Sequence, residues 1–169
     1  MRAAIILAFA LLTGCAGREP AAQRVSFGPL DVALPADWAV SKQTDNKVTW
    51  APPDNARKES LSLTRTAPRE ALAKAGPAAI ERFLVDAQKS LPGASFGLPT
   101  HFTTPSGMMG VRIEGDFLPS DGSQRYRRVH AVLVDGVGDG ALLHAVYTAA
   151  EPDSQPMRIL LDSLQRKGA

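Results

Sequence analysis

The sequence predicts an α+β domain in which an antiparallel β-sheet is packed by two main helices. Three observations predict it. Short stretches with period-2 alternation of apolar and polar residues recur along the chain. Two stretches, 77–93 and 155–167, instead space their apolar residues as helices do. Between the strands of the second half stand only short runs of Gly, Asp and Ser, which suit hairpins rather than crossovers.

The elements follow in order. In "VSFGPLDVALPADWAV", Leu30, Val32 and Leu34 alternate with Asp31 and Ala33, the pattern of a half-buried strand. Pro35 ends that strand, and Trp38 and Val40 begin a second extended piece, so a β-hairpin is expected. "KVTWAPP" adds a strand carrying Val48 and Trp50, stopped by Pro52 and Pro53. "ESLSLTRT" alternates again, with Leu61 and Leu63 on one face. "REALAKA" has helical composition, interrupted at Gly76 and Pro77.

Pro77 is a favoured first-turn residue. Behind it Ile80, Phe83, Leu84, Ala87 and Leu91 form an apolar stripe, which demands a partner surface. Pro92 and Gly93 terminate that helix. "THFTT" is a candidate strand. In "GMMGVRIEGDF", Met109, Val111, Ile113 and Phe117 share one face. "PSDGS" is a turn by composition. "RYRRVHAVLVD" places Val129, Ala131 and Leu133 on one side, "GVGDG" turns, and "ALLHAVYTA" returns with Ala141, Leu143, Ala145 and Tyr147. This is a three-strand meander. Last, "DSQPMRILLDSLQRK" opens on Asp and Ser and then sets Met157, Leu160, Leu161 and Leu164 at helical spacing.

The first residues carry a different message. The apolar run 3–12 is about half the roughly 20 residues that a spanning helix needs, and Arg2 precedes it. A basic start, a short apolar core and small residues describe an export signal. Leu12, Thr13, Gly14 and Cys15 resemble the lipobox of bacterial lipoproteins. That resemblance implies cleavage after Gly14 and a diacylglycerol on the Cys15 thiol, with stable anchoring once two or more acyl chains are present. An ordinary secretory signal and a structured N-terminal helix are the competing readings. Ala16 stands where an Asp would retain a lipoprotein at the inner membrane, so the family rule points to the periplasmic face of the outer membrane. The expected organisation is a signal peptide at 1–14, a lipidated tether at 15–24 and a single domain at 25–169.

Composition narrows the function classes. Apolar residues make up 44% of the chain and the formal charge is +2, or +1 without Arg2. Nucleic acid normally demands a clustered basic face, and none is expected as a partner. Cys15 is the only cysteine, so no intramolecular disulfide forms.

"LDVALPADWAV" resembles the opening of the PsbP/Mog1-like domains, which include bacterial envelope lipoproteins of the DcrB type. "MRILLDSL" resembles their last helix, and the element order between the two fits over roughly residues 25–167. The resemblance implies an α/β/α sandwich around an antiparallel sheet. It implies no activity, because members are mostly assembly, binding or accessory proteins.

The search for chemistry agrees with that. No nucleophile–base pair of a hydrolase is recognised, and no "HExxH", calcium loop or Walker loop occurs. "GVGDGA" sits between strands rather than opening a helix, where backbone amides would cradle phosphate. Neither catalytic residues, metal nor cofactor is expected. One constellation remains. A register pairing Ile113 with Val129 sets Arg112 opposite His130 and Glu114 opposite Arg128, and a turn at 136–138 sets His130 opposite His144. Arg112, His130 and His144 would then form one polar row. It could hold an anion or polar ligand, share a metal, or be a solvated face. Trp38 and Trp50 could line a groove or anchor the core. Arg125, Arg127 and Arg128 could touch lipid heads or be neutralised by Glu114, Asp116 and Asp121. The expected function is a lipid-anchored, non-catalytic binding or accessory protein of the envelope, with an envelope protein as partner. A small-molecule or lipid-binding module with a pocket between sheet and helix is the alternative.

Overall fold

The computed structural model describes residues 21–54, 58–66, 77–89, 94–118, 124–134, 141–150 and 155–168. The expected export signal, the lipobox with Cys15, "REALAKA", Leu91, Asp121 and the turn at 136–138 lie outside the described residues.

Eleven strands and two helices are described. The strands are β1 (Ala22–Phe27), β2 (Leu30–Pro35), β3 (Ala39–Thr44), β4 (Lys47–Ala51), β5 (Ser60–Thr66), β6 (Ala94–Phe96), β7 (Thr100–Thr103), β8 (Met109–Phe117), β9 (Tyr126–Val134), β10 (Leu142–Ala149) and β11 (Gln165–Arg166). Helix α1 spans Pro77–Lys89, between β5 and β6, and α2 spans Gln155–Ser163, between β10 and β11. A large antiparallel sheet runs β3-β4-β5-β10-β9-β8, and both β6 and β7 pair with the outer edge of β8. A small sheet runs β1-β2-β11. The meander β8-β9-β10 expected from the sequence lies in the large sheet.

The large sheet is covered on both faces, and that is what places the site. One face carries a cluster in which Trp50, Leu61, Leu63, Val129, Ala131, Leu133, Leu143, Ala145 and Tyr147 meet Met157, Leu160, Leu161 and Leu164 of the α2 segment. Leu30, Val32 and Leu34 of the small sheet belong to the same cluster, as does Trp38. On the other face Ile80 and Leu84 of α1 meet Val111, Ile113, Val132 and Leu142. The expected helix–sheet–helix sandwich is present, with a small sheet added to the α2 layer.

Three expectations change. The stretch around Leu30 and Val40 is not a hairpin: β2 pairs with β1 and β11, and β3 pairs with β4. Trp38 is the cause. Its amide closes a turn on the Pro35 carbonyl at 3.1 Å and its side chain enters the core, so the chain passes from one sheet to the other. Residues 22–24, assigned to the tether, are the start of β1. Met109, expected on the core face, is 58% exposed.

Two glycines let β8 lie close under its neighbours. A Cβ on Gly115 would stand 2.5 Å from Cδ1 of Phe96 and closer still to the Ser95 carbonyl oxygen. A Cβ on Gly110 would meet Phe102 Cζ at 2.7 Å. The missing side chains thus allow Phe96 and Phe102 to lie across the sheet edge.

Candidate functional site

The register defines three adjacent rows on the α1 face of the large sheet. The first reads Lys47, Thr64, His144, Val132 and Val111. The second reads Thr49, Ser62, Val146, His130 and Ile113, and the third Ser60, Thr148, Arg128 and Gly115. Apolar residues occupy the β8 side, where α1 packs. Polar residues occupy the β4, β5 and β10 side, and there an open groove of about 370 Å³ lies across the strands. Its lining is Lys47, Thr49, Ser60, Ser62, Arg128, His130, His144, Val146 and Thr148.

The two histidines mark the seam between these halves. They are diagonal neighbours on β9 and β10, close enough for side chains to touch. Their rings stack with centroids 5.3 Å apart, and one hydrogen bond of 3.1 Å joins His130 Nδ1 to His144 Nε2. Phe96 stands edge-on to His130 at 5.6 Å, and Phe83 of α1 stands edge-on to His144 at 6.4 Å. Burial among these rings opposes the charged imidazolium. The pKa of His130 is pushed down to about 3 by burial, with His144 and Arg128 adding repulsion. That of His144 is pushed down to about 4 by burial, with Lys47 adding repulsion. Both rings are therefore neutral at pH 7, and one N–H donates to the bare nitrogen of the other. His130 is 5% exposed, and its Nε2 is buried with no hydrogen-bond partner among the described residues. An unmet buried polar atom costs about 1–3 kcal/mol.

Arg128 belongs to the same face. Its Nε donates to Thr148 Oγ1 at 3.2 Å and its guanidinium lies 4.6 Å from the Phe117 ring centroid. Burial lowers its pKa from the ordinary arginine value, and it stays charged.

The polar row expected from the sequence is corrected here. Ile113 pairs with His130, and Arg112 pairs with Ala131. The shift of one residue turns Arg112 and Glu114 to the opposite face, where Arg112 Nη2 meets Glu114 Oε1 at 3.3 Å and Arg127 Nη2 meets Glu114 Oε2 at 3.0 Å. The expected pairings also change elsewhere: Glu114 faces Val129, and His130 faces Val146 rather than His144. His130 and His144 come together, Arg112 does not join them, and Arg128 takes the place that Arg112 was expected to hold.

Of the arginine cluster, Arg125 and Arg127 reach Asp116 at 3.9 and 3.8 Å, as their acidic neighbours imply, whereas Arg128 points to the other face. Trp38 and Trp50 are core residues, 6% and 2% exposed. Lys47 and the hydroxyls of Thr49, Ser60 and Ser62 were not singled out in the sequence. The available signal was parity, since Ser60 and Ser62 are the polar partners of Leu61 and Leu63.

The fold defined by these layers occurs among solved structures. The chain matches the Ran-binding protein Mog1p of Saccharomyces cerevisiae with a TM-score of 0.60 and 7% identity, over 87% of this chain and 96% of that one. It matches LpqN of Mycobacterium tuberculosis, described as involved in cell envelope biogenesis, with a TM-score of 0.56 and 15% identity, over 89% and 86%. A Bacteroides thetaiotaomicron protein matches with a TM-score of 0.59 and 9% identity over 88% of this chain, which spans about half (48%) of that protein's length. The chain thus has the Mog1-like α+β fold. No family model matches the sequence, and no curated protein is significantly similar to it.

Proposed function

We propose that this chain is a non-catalytic accessory protein of the bacterial cell envelope, anchored through Cys15 and acting by binding. The groove on the α1 face carries the reading. Its imidazoles are bonded to each other rather than to a hydroxyl, and pKa values near 3 and 4 lie far from the neutral range in which a general base works best. What the groove offers instead is a fixed array of hydrogen-bond donors suited to holding something still. The Leu12, Thr13, Gly14, Cys15 sequence supports the anchor, and the shared fold with an envelope-biogenesis protein supports the compartment. Tethering raises the effective concentration of the domain for anything held at the same membrane.

A second reading, a small-molecule or lipid-binding module, is favoured by the size of the groove and the unmet Nε2 of His130. The anchor is tested by expressing the full chain in a bacterium with an outer membrane and labelling with an alkyne fatty acid. Wild type is expected in the membrane fraction and labelled; Cys15→Ser is expected to be unlabelled. An unlabelled wild type released freely as mature protein would overturn the anchoring.

A further inference from the structure

We infer that the groove on the α1 face is a receptor for a phosphoryl oxyanion carried on a small polar body, of the size of a glycerophosphate headgroup. The side chains that line it set its chemistry. Arg128 and Lys47 are cations, Thr49, Ser60, Ser62 and Thr148 are hydroxyls, His130 and His144 are imidazoles, and Val146 is the single apolar side chain. No carboxylate is among these described residues. Such a wall is rich in donors and has no anionic acceptor, so it complements a ligand that is mostly acceptor and negatively charged.

Three further observations sharpen this. The described partners of Arg128 are a hydroxyl and an aromatic face, whereas Arg112, Arg125 and Arg127 all meet Glu114 or Asp116. Arg128 therefore retains its charge for something else. When His144 Nε2–H donates to His130 Nδ1, the His130 Nε2 carries a buried proton with no acceptor among the described residues, so this residue of the groove wall keeps an unmet donor. The cations beside the imidazoles, in turn, oppose a metal ion at the same place. Finally, about 370 Å³ lies within the range of pockets for small ligands and exceeds what a bare oxyanion fills. The hydroxyls of β4 and β5 then face the polar body, and Arg128 and the imidazoles face the phosphoryl group.

This rests on the groove as the binding surface, not on the lipid anchor. Either a soluble phosphate ester or a membrane headgroup carries the required chemistry. The experiment uses the full chain purified from envelopes in non-ionic detergent, with the ring C–H signals of its three histidines followed by NMR. His101, exposed and bonded to Glu81 Oε2 at 3.2 Å, serves as the internal reference outside the groove. Inorganic phosphate, glycerol 3-phosphate and phosphatidylglycerol vesicles are added in separate titrations. Saturable shifts of His130 and His144, with His101 unmoved, are expected in at least one. Response to the soluble probes alone assigns a soluble ester; response to vesicles as well assigns a headgroup. Arg128→Gln and Lys47→Gln should each weaken binding about tenfold or more, as loss of a charge-assisted bond does. Lys47 is exposed, so its variant keeps the test valid if Arg128→Gln unfolds. Flat His130 and His144 signals with all three probes, or wild-type affinity in folded Lys47→Gln and Arg128→Gln, would sink the inference. Those results leave the Cys15 anchor untouched, and an unlabelled Cys15 leaves these titrations interpretable.

Discussion

His130 sits where two demands on β9 conflict. Its strand is buried on both faces from Val129 to Leu133, a setting that favours continuous apolar side chains, yet position 130 is an imidazole with one nitrogen unmet. A neutral ring is the way to keep it there. That has a measurable consequence in the pH dependence of stability. With folded-state pKa values near 3 and 4 and an unfolded value near 6.5, the unfolded chain takes up protons first as the pH falls. Stability present above pH 6.5 is therefore lost progressively from about 6.5 down to about 4 for His144 and about 3 for His130, with a slope of up to about 1.4 kcal/mol per pH unit for each histidine. Urea unfolding midpoints between pH 7 and 5 should fall steeply for wild type and more gently for the His130→Gln, His144→Gln double variant. Equal slopes would mean that the pair is not held neutral.

At the scale of elements, the closing motif of the chain acquires a physical role. Ser163 ends α2, and its Oγ accepts a hydrogen bond from the Ala33 amide at 2.6 Å while donating to the Ile159 carbonyl at 2.7 Å. The hydroxyl latches the helix C-terminus to β2. Ser163→Ala leaves the Ala33 amide without that acceptor and should cost about 1–3 kcal/mol, read as a lowered denaturation midpoint. Val at the same position should be no better, because the acceptor is what matters. The latch also shows what was legible in the sequence. The α1 and α2 stripes follow from periodicity, because each helix has one apolar face, and the meander follows from alternation together with the Gly, Asp and Ser runs between its strands. Where both faces are buried, periodicity loses its meaning. On β9 Val129, Ala131 and Leu133 face one core and Val132 the other, so either register of β8 buries apolar residues. The sequence offered no parity to choose between them, and Arg112 was placed with the histidines in error. Arg128 was separable from Arg125 and Arg127 by alternation alone, which sends neighbouring strand residues to opposite faces. The Gly110 contact comes from β7, which "THFTT" announced, whereas the Gly115 contact comes from β6, a three-residue strand whose alternation is too brief to register.

On the scale of the whole molecule, the sheet divides the interior into two unequal parts, and their stabilities should differ. Among the described residues, the α2 side joins α2, the small sheet and both tryptophans in one cluster, and its segments are tied by the Ala33 amide donating to Ser163 Oγ and Ser106 Oγ donating to the Leu164 carbonyl. The α1 side rests on Ile80 and Leu84 against four sheet residues, with Phe83 and Phe96 partly buried beside them. Undocking α1 leaves every pairing of β4, β5, β10, β9 and β8 in place, so it is the cheaper opening. Amides of α1 should therefore exchange with solvent through a local opening, and those of β9 and β10 only through global unfolding. Two substitutions separate these routes. Leu84→Ala removes fully buried atoms that pack in the native state but not in either opened state, so it should speed exchange in α1 and in β10 alike, by about 2–5 kcal/mol. Val129→Ala, on the opposite face, weakens contacts that survive when α1 opens. It should speed exchange of β10 by about 1–3 kcal/mol and leave α1 unchanged. Were Val129→Ala to accelerate α1 by the same factor, the two layers would form one cooperative unit, and the groove beside α1 would share the rigidity of the main core.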